Sequence, residues 1–329
     1  MVRQRQPEHF NLPGVLATPG PGKCRSAGDN TGMHLSHSRA VFMMVLVTLM
    51  WSIAGVTTRH LESAHSFEIT FWRSFFTVLS LLVILPLLQG RAVFAKIRQG
   101  GASLWLSGVC WAVMFTAFMV ALSLSPVANV LVTMSIGPLL TALLARFAIG
   151  HRLPLRTWVA IGVAGAGIAT MYGTQLSSAG DPGQLVGTLI ALCVPLAGAV
   201  NWTVVQRSQR QGHEVDLVPS VLVGAVLSTL VTLPLALPFQ ATPHDLGLLA
   251  MLGSVQLAIP CVLSVWCARV LKAPEVSLLQ LLEVLFGITL AWLGANEAPG
   301  TAVMLGGSLV LGALVSNEAL GWWQRRAVL

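Results

Sequence analysis

Charge is what this chain has least of: only 9% of its 329 residues are Asp, Glu, Lys or Arg, against 55% that are hydrophobic. A water-soluble fold of this length cannot bury so much apolar surface, so the composition excludes a soluble globular protein and asks for lipid as the solvent. Period-two alternation is also missing from the apolar runs, which excludes the strands of a β-barrel. In hydrocarbon the remaining way to satisfy every backbone N–H and C=O within the chain is the helix. The expected class is all-α.

Other absences narrow the function. There is no HExxH, no GxSxG and no acidic pair at catalytic spacing within one helix, which speaks against a membrane-embedded enzyme. No apolar run has a central Asp of the kind an intramembrane protease would use. No GxxxxGK[ST] loop appears, so ATP is not the direct energy source. The five cysteines, Cys24, Cys110, Cys193, Cys261 and Cys267, show no CxxC spacing. Four of them lie in hydrophobic runs and read as small apolar fillers, so neither metal nor cofactor is expected. The basic residues are spaced between apolar runs instead of gathering on one surface among aromatics, so there is no nucleic-acid footprint. Almost no soluble mass lies outside the apolar runs, which argues against a scaffold or receptor, while a channel stays open as an alternative to a carrier. Residues 1–38 are polar, rich in Pro and Gly, and without the h-region of a cleavable signal peptide. They are expected to form a flexible cytoplasmic tail, and Met33 is an alternative start to Met1.

What is present is a series of apolar runs of membrane length. A hydrocarbon core of about 30 Å takes about 20 helical residues, and the chain divides into candidate spans at 40–60, 66–89, 101–122, 126–148, 155–173, 184–206, 217–238, 245–270, 273–294 and 300–320. Of the 19 Lys and Arg residues, all but Arg59 and Arg73 fall on one side when the amino terminus is placed there. Basic residues of short loops stay in the cytoplasm. That asymmetry implies an even number of spans, both termini cytoplasmic and a multi-pass protein of the bacterial inner membrane. Residues 321–329 form a cytoplasmic tail, with Trp322 and Trp323 at its start as an interface belt.

Ten spans make two halves of five, 39–173 and 184–320. Because five is odd, the second half enters the membrane upside down relative to the first, the inverted-repeat plan of many secondary transporters. With an offset of 146, GPLLTALLARFAIGH from Gly137 lies against EVLFGITLAWLGANE from Glu283. Small residues recur at that offset, Ala160 over Gly306, Gly162 over Ser308 and Ala166 over Gly312. They are expected to give the last helix of each half a small face for close helix approach.

Four motifs in this order, LMWSIAG, FWRSFF, SPVANVLVTMSIGPLLTALLARFAIGHRLP and APEVSLLQLLEVLFGITLAWLGANEAP, resemble the drug/metabolite transporter superfamily, in particular its EamA-type members. The likeness spans residues 40–320. It implies ten helices as two inverted five-helix repeats and an exporter or permease for amino acids and related metabolites. By the same resemblance, Trp51 sits on the family's first-helix Trp, with Ser52 in place of the following Gly. Arg73 falls on its second-helix Arg, Pro138 on its fourth-helix Pro and Glu283 on its ninth-helix Glu, with Val284 in place of the Pro. Glu297 matches the acid that closes the ninth helix, and its counterpart in the first half is His151 where the family has Glu.

An ionisable group inside a span costs about 2.5–3.5 kcal/mol on insertion scales, so it faces a cavity or a partner. Glu283 lies about 15 Å into its span by helix rise, near the midplane, and Arg73 roughly 10 Å from the outer end of its own. Glu283 either borders a central cavity, where it binds a substrate amine or takes up a proton, or it bonds neighbouring helices. Arg73 is either a carboxylate clamp, for which its planar fork is suited, or the structural partner of Glu283, Glu68 or a helix end. Asn129, Asn201, Gln256 and Gln280 are uncharged polar residues at depth that bind substrate or join helices, and Gln280 shares a face with Glu283. Trp51, Trp111 and Trp202 line an aromatic cavity or pack in the bundle. Gly137, Pro138, Pro195 and Pro260 interrupt helical hydrogen bonding and supply bends for gating. The expected partners are the lipid bilayer, a small-molecule substrate and protons. If both termini are cytoplasmic, a fluorescent protein fused after Leu329 will fluoresce and alkaline phosphatase at the same position will stay inactive, whereas phosphatase fused after Ala241 will be active.

Overall fold

The computed structural model describes residues 36–326 except 91, 150–153, 178–181, 211–216 and 272. The amino-terminal tail, Met33 and His151 lie outside the described residues, as does the side chain of Trp322. Helices occupy α1 (His37–Thr58), α2 (Ser66–Gln89), α3 (Ala92–Gln99), α4 (Ala102–Leu124), α5 (Val127–Met134), α6 (Gly137–Ile149) and α7 (Leu155–Ser177). They continue as α8 (Pro182–Ala191), α9 (Cys193–Arg210), α10 (Pro219–Ala236), α11 (Pro243–Met251), a π-helical stretch Leu252–Ala258, α12 (Ile259–Val270), α13 (Ala273–Ala295) and α14 (Thr301–Arg326). The protein is all-α and multi-pass. Among the described residues eight helical segments are long and apolar enough to cross a membrane, and Leu155–Thr170 and Leu279–Ala295 are shorter apolar helices. The short helix α3 was not expected from the sequence. It buries Val93 and carries Lys96 and Arg98 in its last turn, where cations suit the helix dipole.

Three of the expected continuous spans are interrupted, and a proline follows each interruption. Proline has no N–H for the carbonyl four residues back, and its ring crowds that carbonyl. For Pro138 that carbonyl belongs to Met134, where α5 ends; for Pro195 it belongs to Ala191, where α8 ends. For Pro260 it belongs to Gln256, within the π-helical stretch, and the Ile259 N–H reaches back five residues to the Ser254 carbonyl. Short π segments of this kind recur at functional sites.

Glycine sets the closest helix contacts. α4 packs on α10, where a Cβ on Gly108 would lie 2.6 Å from Val223 Cγ1 and one on Gly224 would run into Trp111 Cβ. α7 packs on α14, where a Cβ on Gly167 would lie 2.6 Å from the Gly306 carbonyl oxygen. The small face expected there needs correcting. Ala160, Ala164 and Gly167 face the partner, as do Gly306 and Val310, whereas Gly162, Ala166, Ser308 and Gly312 are exposed. A two-residue step turns about 200° around a helix of 3.6 residues per turn, onto the opposite face, so Gly162 cannot share a face with Ala160.

Polar side chains join helices inside the bundle. Ser228 of α10 bonds both Ser74 of α2 and Thr116 of α4, each at 2.9 Å. At one end of the bundle, hereafter the Arg59 end, two fully buried carboxylates staple loops. Asp245 accepts the backbone N–H groups of Glu62, Ser63, Ala64 and Thr242. Glu68 accepts those of Gln240 and Ala241 and the indole N–H of Trp72. Leu82, Val83, Leu230, Val231, Leu293 and Leu305 are exposed, a surface suited to acyl chains. Replacing Gly224 by Val is expected to destabilise the fold by about 1–3 kcal/mol through overpacking. Gly162→Ala, with nothing within 4 Å of the added Cβ, should leave the melting temperature in detergent unchanged.

Candidate functional site

A cavity of about 170 Å³ lies between helices from both ends of the sequence. The interruptions described above put special backbone against it: Met134, Ser135, Gly137 and Pro138 at the α5–α6 break, Val194 and Pro195 just after the α8–α9 break, and Gln256 and Leu257 from the π-helical stretch. Irregular backbone at membrane depth is tolerable where protein covers it or where it borders an aqueous space. The sequence candidates Glu283, Arg73, Gln280, Trp51, Gln256, Trp111, Trp202, Gly137, Pro138 and Pro195 are brought together in this lining.

Three candidates are not. Asn201 is buried in α9, where its side-chain oxygen accepts from Ser107 Oγ at 2.6 Å, so it joins α9 to α4. Asn129 is buried in α5 outside the lining. Pro260 lies outside the lining as well, and acts on the cavity through the π-helical stretch that precedes it.

Arg73 is 2% exposed. Its Nε and Nη2 both donate to Gln256 Oε1, at 3.2 and 2.9 Å, and the Gln256 amide in turn donates to the Trp51 carbonyl at 3.0 Å. The guanidinium carbon sits 5.7 Å from the Phe118 ring centroid, a cation–π distance. Nη1 is buried with no hydrogen-bond partner among the described residues. The partners that charge alone suggested are not used: Glu68 is taken up by the Gln240 loop, and no ion pair joins Arg73 to Glu283. Glu283 is partly exposed, toward the cavity. Among the described residues its carboxylate has no hydrogen-bond partner, and Arg73 acts on it only through the field. The lining of the cavity thus includes one cation, whose buried Nη1 bonds nothing among the described residues, and one carboxylate likewise without a bond among them, contributed by α2 and α13 beside Trp51, Trp111, Phe115 and Phe118.

Sequence reasoning missed Met114, Phe115, Phe118, Met134, Ser135, Thr141 and Cys261, all in the lining. Apolar and hydroxyl residues carry no mark of a cavity in a chain where they are everywhere. The groups around Glu62, His244 and Asp245 converge closely enough to hold a metal ion, but both Asp245 oxygens already accept backbone N–H groups, which disfavours that use.

Gln256→Leu strips Arg73 of both its bonds and is expected to cost about 1.5–3 kcal/mol, the range for hydrogen bonds to charged groups. Pairing it with Arg73→Met should recover most of that loss, because replacing both partners with apolar groups is nearly neutral. Thermal melts of the four proteins in detergent measure the cycle.

Residues 38–173 match the model of the EamA-like transporter family. The chain is similar to the S-adenosylmethionine uptake transporter of Rickettsia prowazekii, with 25% identity over 275 residues, 83% of this chain and 89% of that protein. It is similar to the pseudopaline exporter CntI of Pseudomonas aeruginosa, with 24% identity over 283 residues, 84% of this chain and 94% of that protein. A solved crystal structure of another protein shares the fold at a TM-score of 0.57 and 19% identity, over 88% of this chain and 99% of that one.

Proposed function

We propose that this chain, which over residues 38–173 belongs to the EamA-like transporter family and is a multi-pass transporter of small molecules, exports or admits a small polar metabolite such as an amino acid. The observation that carries the reading is the pair of opposite, mutually unbonded charges in one cavity. The carboxylate of the substrate docks on Arg73 through the free Nη1, where a guanidinium offers directional donors. Its amine docks on Glu283, or Glu283 takes up a proton as the substrate leaves. Gln280, one turn before Glu283, adds a neutral polar contact, and the Trp walls hold the apolar part. The two relatives move S-adenosylmethionine and pseudopaline respectively, which favours small metabolites here too.

The mechanism proposed is alternating access by two inverted repeats, 39–173 and 184–320, in the inner membrane with the Arg59 end outside. What supports the inversion is the pairing of helices. The contact of α1 with α13 has its counterpart in α9 with α6; α1 with α12 in α9 with α4; and α2 with the π-helical stretch in α10 with α4. The contacts α2 with α10, α7 with α14, and α13 with α5 and α6 are their own counterparts.

Glu283→Gln tests the reading. In proteoliposomes loaded with labelled amino acids under an imposed proton gradient, wild-type protein is expected to show saturable flux with counterflow. The variant should express normally and lose that flux or its response to the gradient. Undiminished, gradient-dependent flux in the variant would remove Glu283 from the mechanism, and flux without saturation or counterflow would favour a channel.

A further inference from the structure

Toward the Arg59 end the lining of the cavity stops at Leu131, one turn into α5, and toward the opposite end it stops at Thr141, Trp202 and Gln280, each about two turns from the end of its helix. Between Leu131 and the loops of the Arg59 end lies a seam of close contacts. A Cβ on Gly55 of α1 would lie 2.6 Å from Val127 Cγ1, one on Gly294 of α13 would lie 2.6 Å from Val56 Cγ2, and one on Gly287 would run into Leu131. α1, α5 and α13 are therefore drawn together above the cavity with no room for a passage between them.

One ion pair caps that seam. Arg59, in the turn after α1, donates from Nε to Glu297 Oε2 at 2.7 Å, from Nη1 to the Leu122 carbonyl at 3.0 Å and from Nη2 to the Ser125 carbonyl at 2.9 Å. Glu297, in the turn after α13, gives its other oxygen to the Val127 N–H at 2.6 Å. The cation sits where α4 ends and the carboxylate where α5 begins, so each charge meets the helix pole that favours it and satisfies terminal groups the helices leave unpaired. Two side chains thereby tie together the ends of α1, α4, α5 and α13. Both remain partly exposed, 28% for Arg59 and 21% for Glu297, so water and salt can compete for them, as a contact meant to break requires.

We infer that the Arg59–Glu297 pair is the latch that keeps the cavity closed at this end, and that its separation is the step that opens the cavity there. The inference rests on the alternating-access reading above. Arg59 ties α1 to the Leu122 and Ser125 carbonyls and Glu297 ties α13 to the Val127 N–H, so opening requires both side chains to leave the α4–α5 turn as their own contact parts.

The test places a single reporter thiol in the cavity and asks from which side it is reached. Gly198→Cys in a background with the five native cysteines replaced is suitable, because a Cβ at Gly198 meets only Met114 Sδ, at 3.6 Å. A charged, membrane-impermeant methanethiosulfonate is added to one face or the other of oriented vesicles. With the pair intact, labelling should be fast from the end that carries the chain termini and slow from the Arg59 end. In Arg59→Gln and in Glu297→Gln, labelling from the Arg59 end should rise by about tenfold, the shift expected on losing a charge-assisted hydrogen bond. Arg59→Lys should fall between. Labelling from the opposite end reports that each variant is folded. A second arm needs no change to the pair: raising salt from low concentration to about 1 M screens partly exposed charges and should speed labelling from the Arg59 end. Labelling from both ends at rates that neither the variants nor salt alter would overturn the latch and leave alternating access standing. A reporter never reached from the Arg59 end under any of these conditions would overturn both.

Discussion

Backbone in hydrocarbon must satisfy its own hydrogen bonds, because neither lipid nor water is there to do so. Wherever the chain departs from regular helix inside the bundle, the departure has to be covered by protein or open onto an aqueous space. Here the departures at Met134–Gly137, Ala191–Cys193 and Leu252–Ala258 all gather at one cavity, and each is forced by a proline a few residues later. The cavity and the prolines are thus two aspects of one condition: the breaks need the space, and the space needs bends to form between close-packed helices.

The same condition governs charge. Arg73 is almost wholly buried, and a guanidinium in that position must be held by acceptors of the protein. Gln256 does so from the π-helical stretch, so the local irregularity that Pro260 imposes is also what places the amide against the guanidinium. A neutral partner leaves the charge of Arg73 uncompensated, and Glu283 faces the same space without a bond of its own. In a low-dielectric pocket such groups act strongly on whatever enters between them. A bonded Arg73–Glu283 pair would have spent that field internally.

At the Arg59 end electrostatics is used differently. Asp245 and Glu68, fully buried, are saturated with backbone N–H groups and fix the loops permanently. Arg59 and Glu297 meet in partial contact with water, where an ion pair is weak enough to exchange. Buried carboxylates make the frame there, and the partly exposed pair makes the movable joint.

Composition and the spacing of apolar runs were enough to tell that the chain is helical and lives in lipid, because insertion depends on summed transfer energy, which simple order along the chain records. The same cost accounting made Glu283 and Arg73 stand out, since one ionisable group in an apolar run is conspicuous wherever it points. Direction was not recorded there. Asn129 and Asn201 looked as eligible as Gln256 and Gln280, and only packing separated the residues that join helices from those that border the cavity. Phe118, Met114 and Cys261 were indistinguishable from lipid-facing or core residues until neighbours surrounded them. Nor could the partner of Arg73 be read from charge: an amide far along the chain took the place that an acid was expected to fill. The pairing of Arg59 with Glu297 joins residues 238 positions apart in the chain, and such contacts depend on how helices cross in three dimensions, a relation that no local pattern of residues encodes.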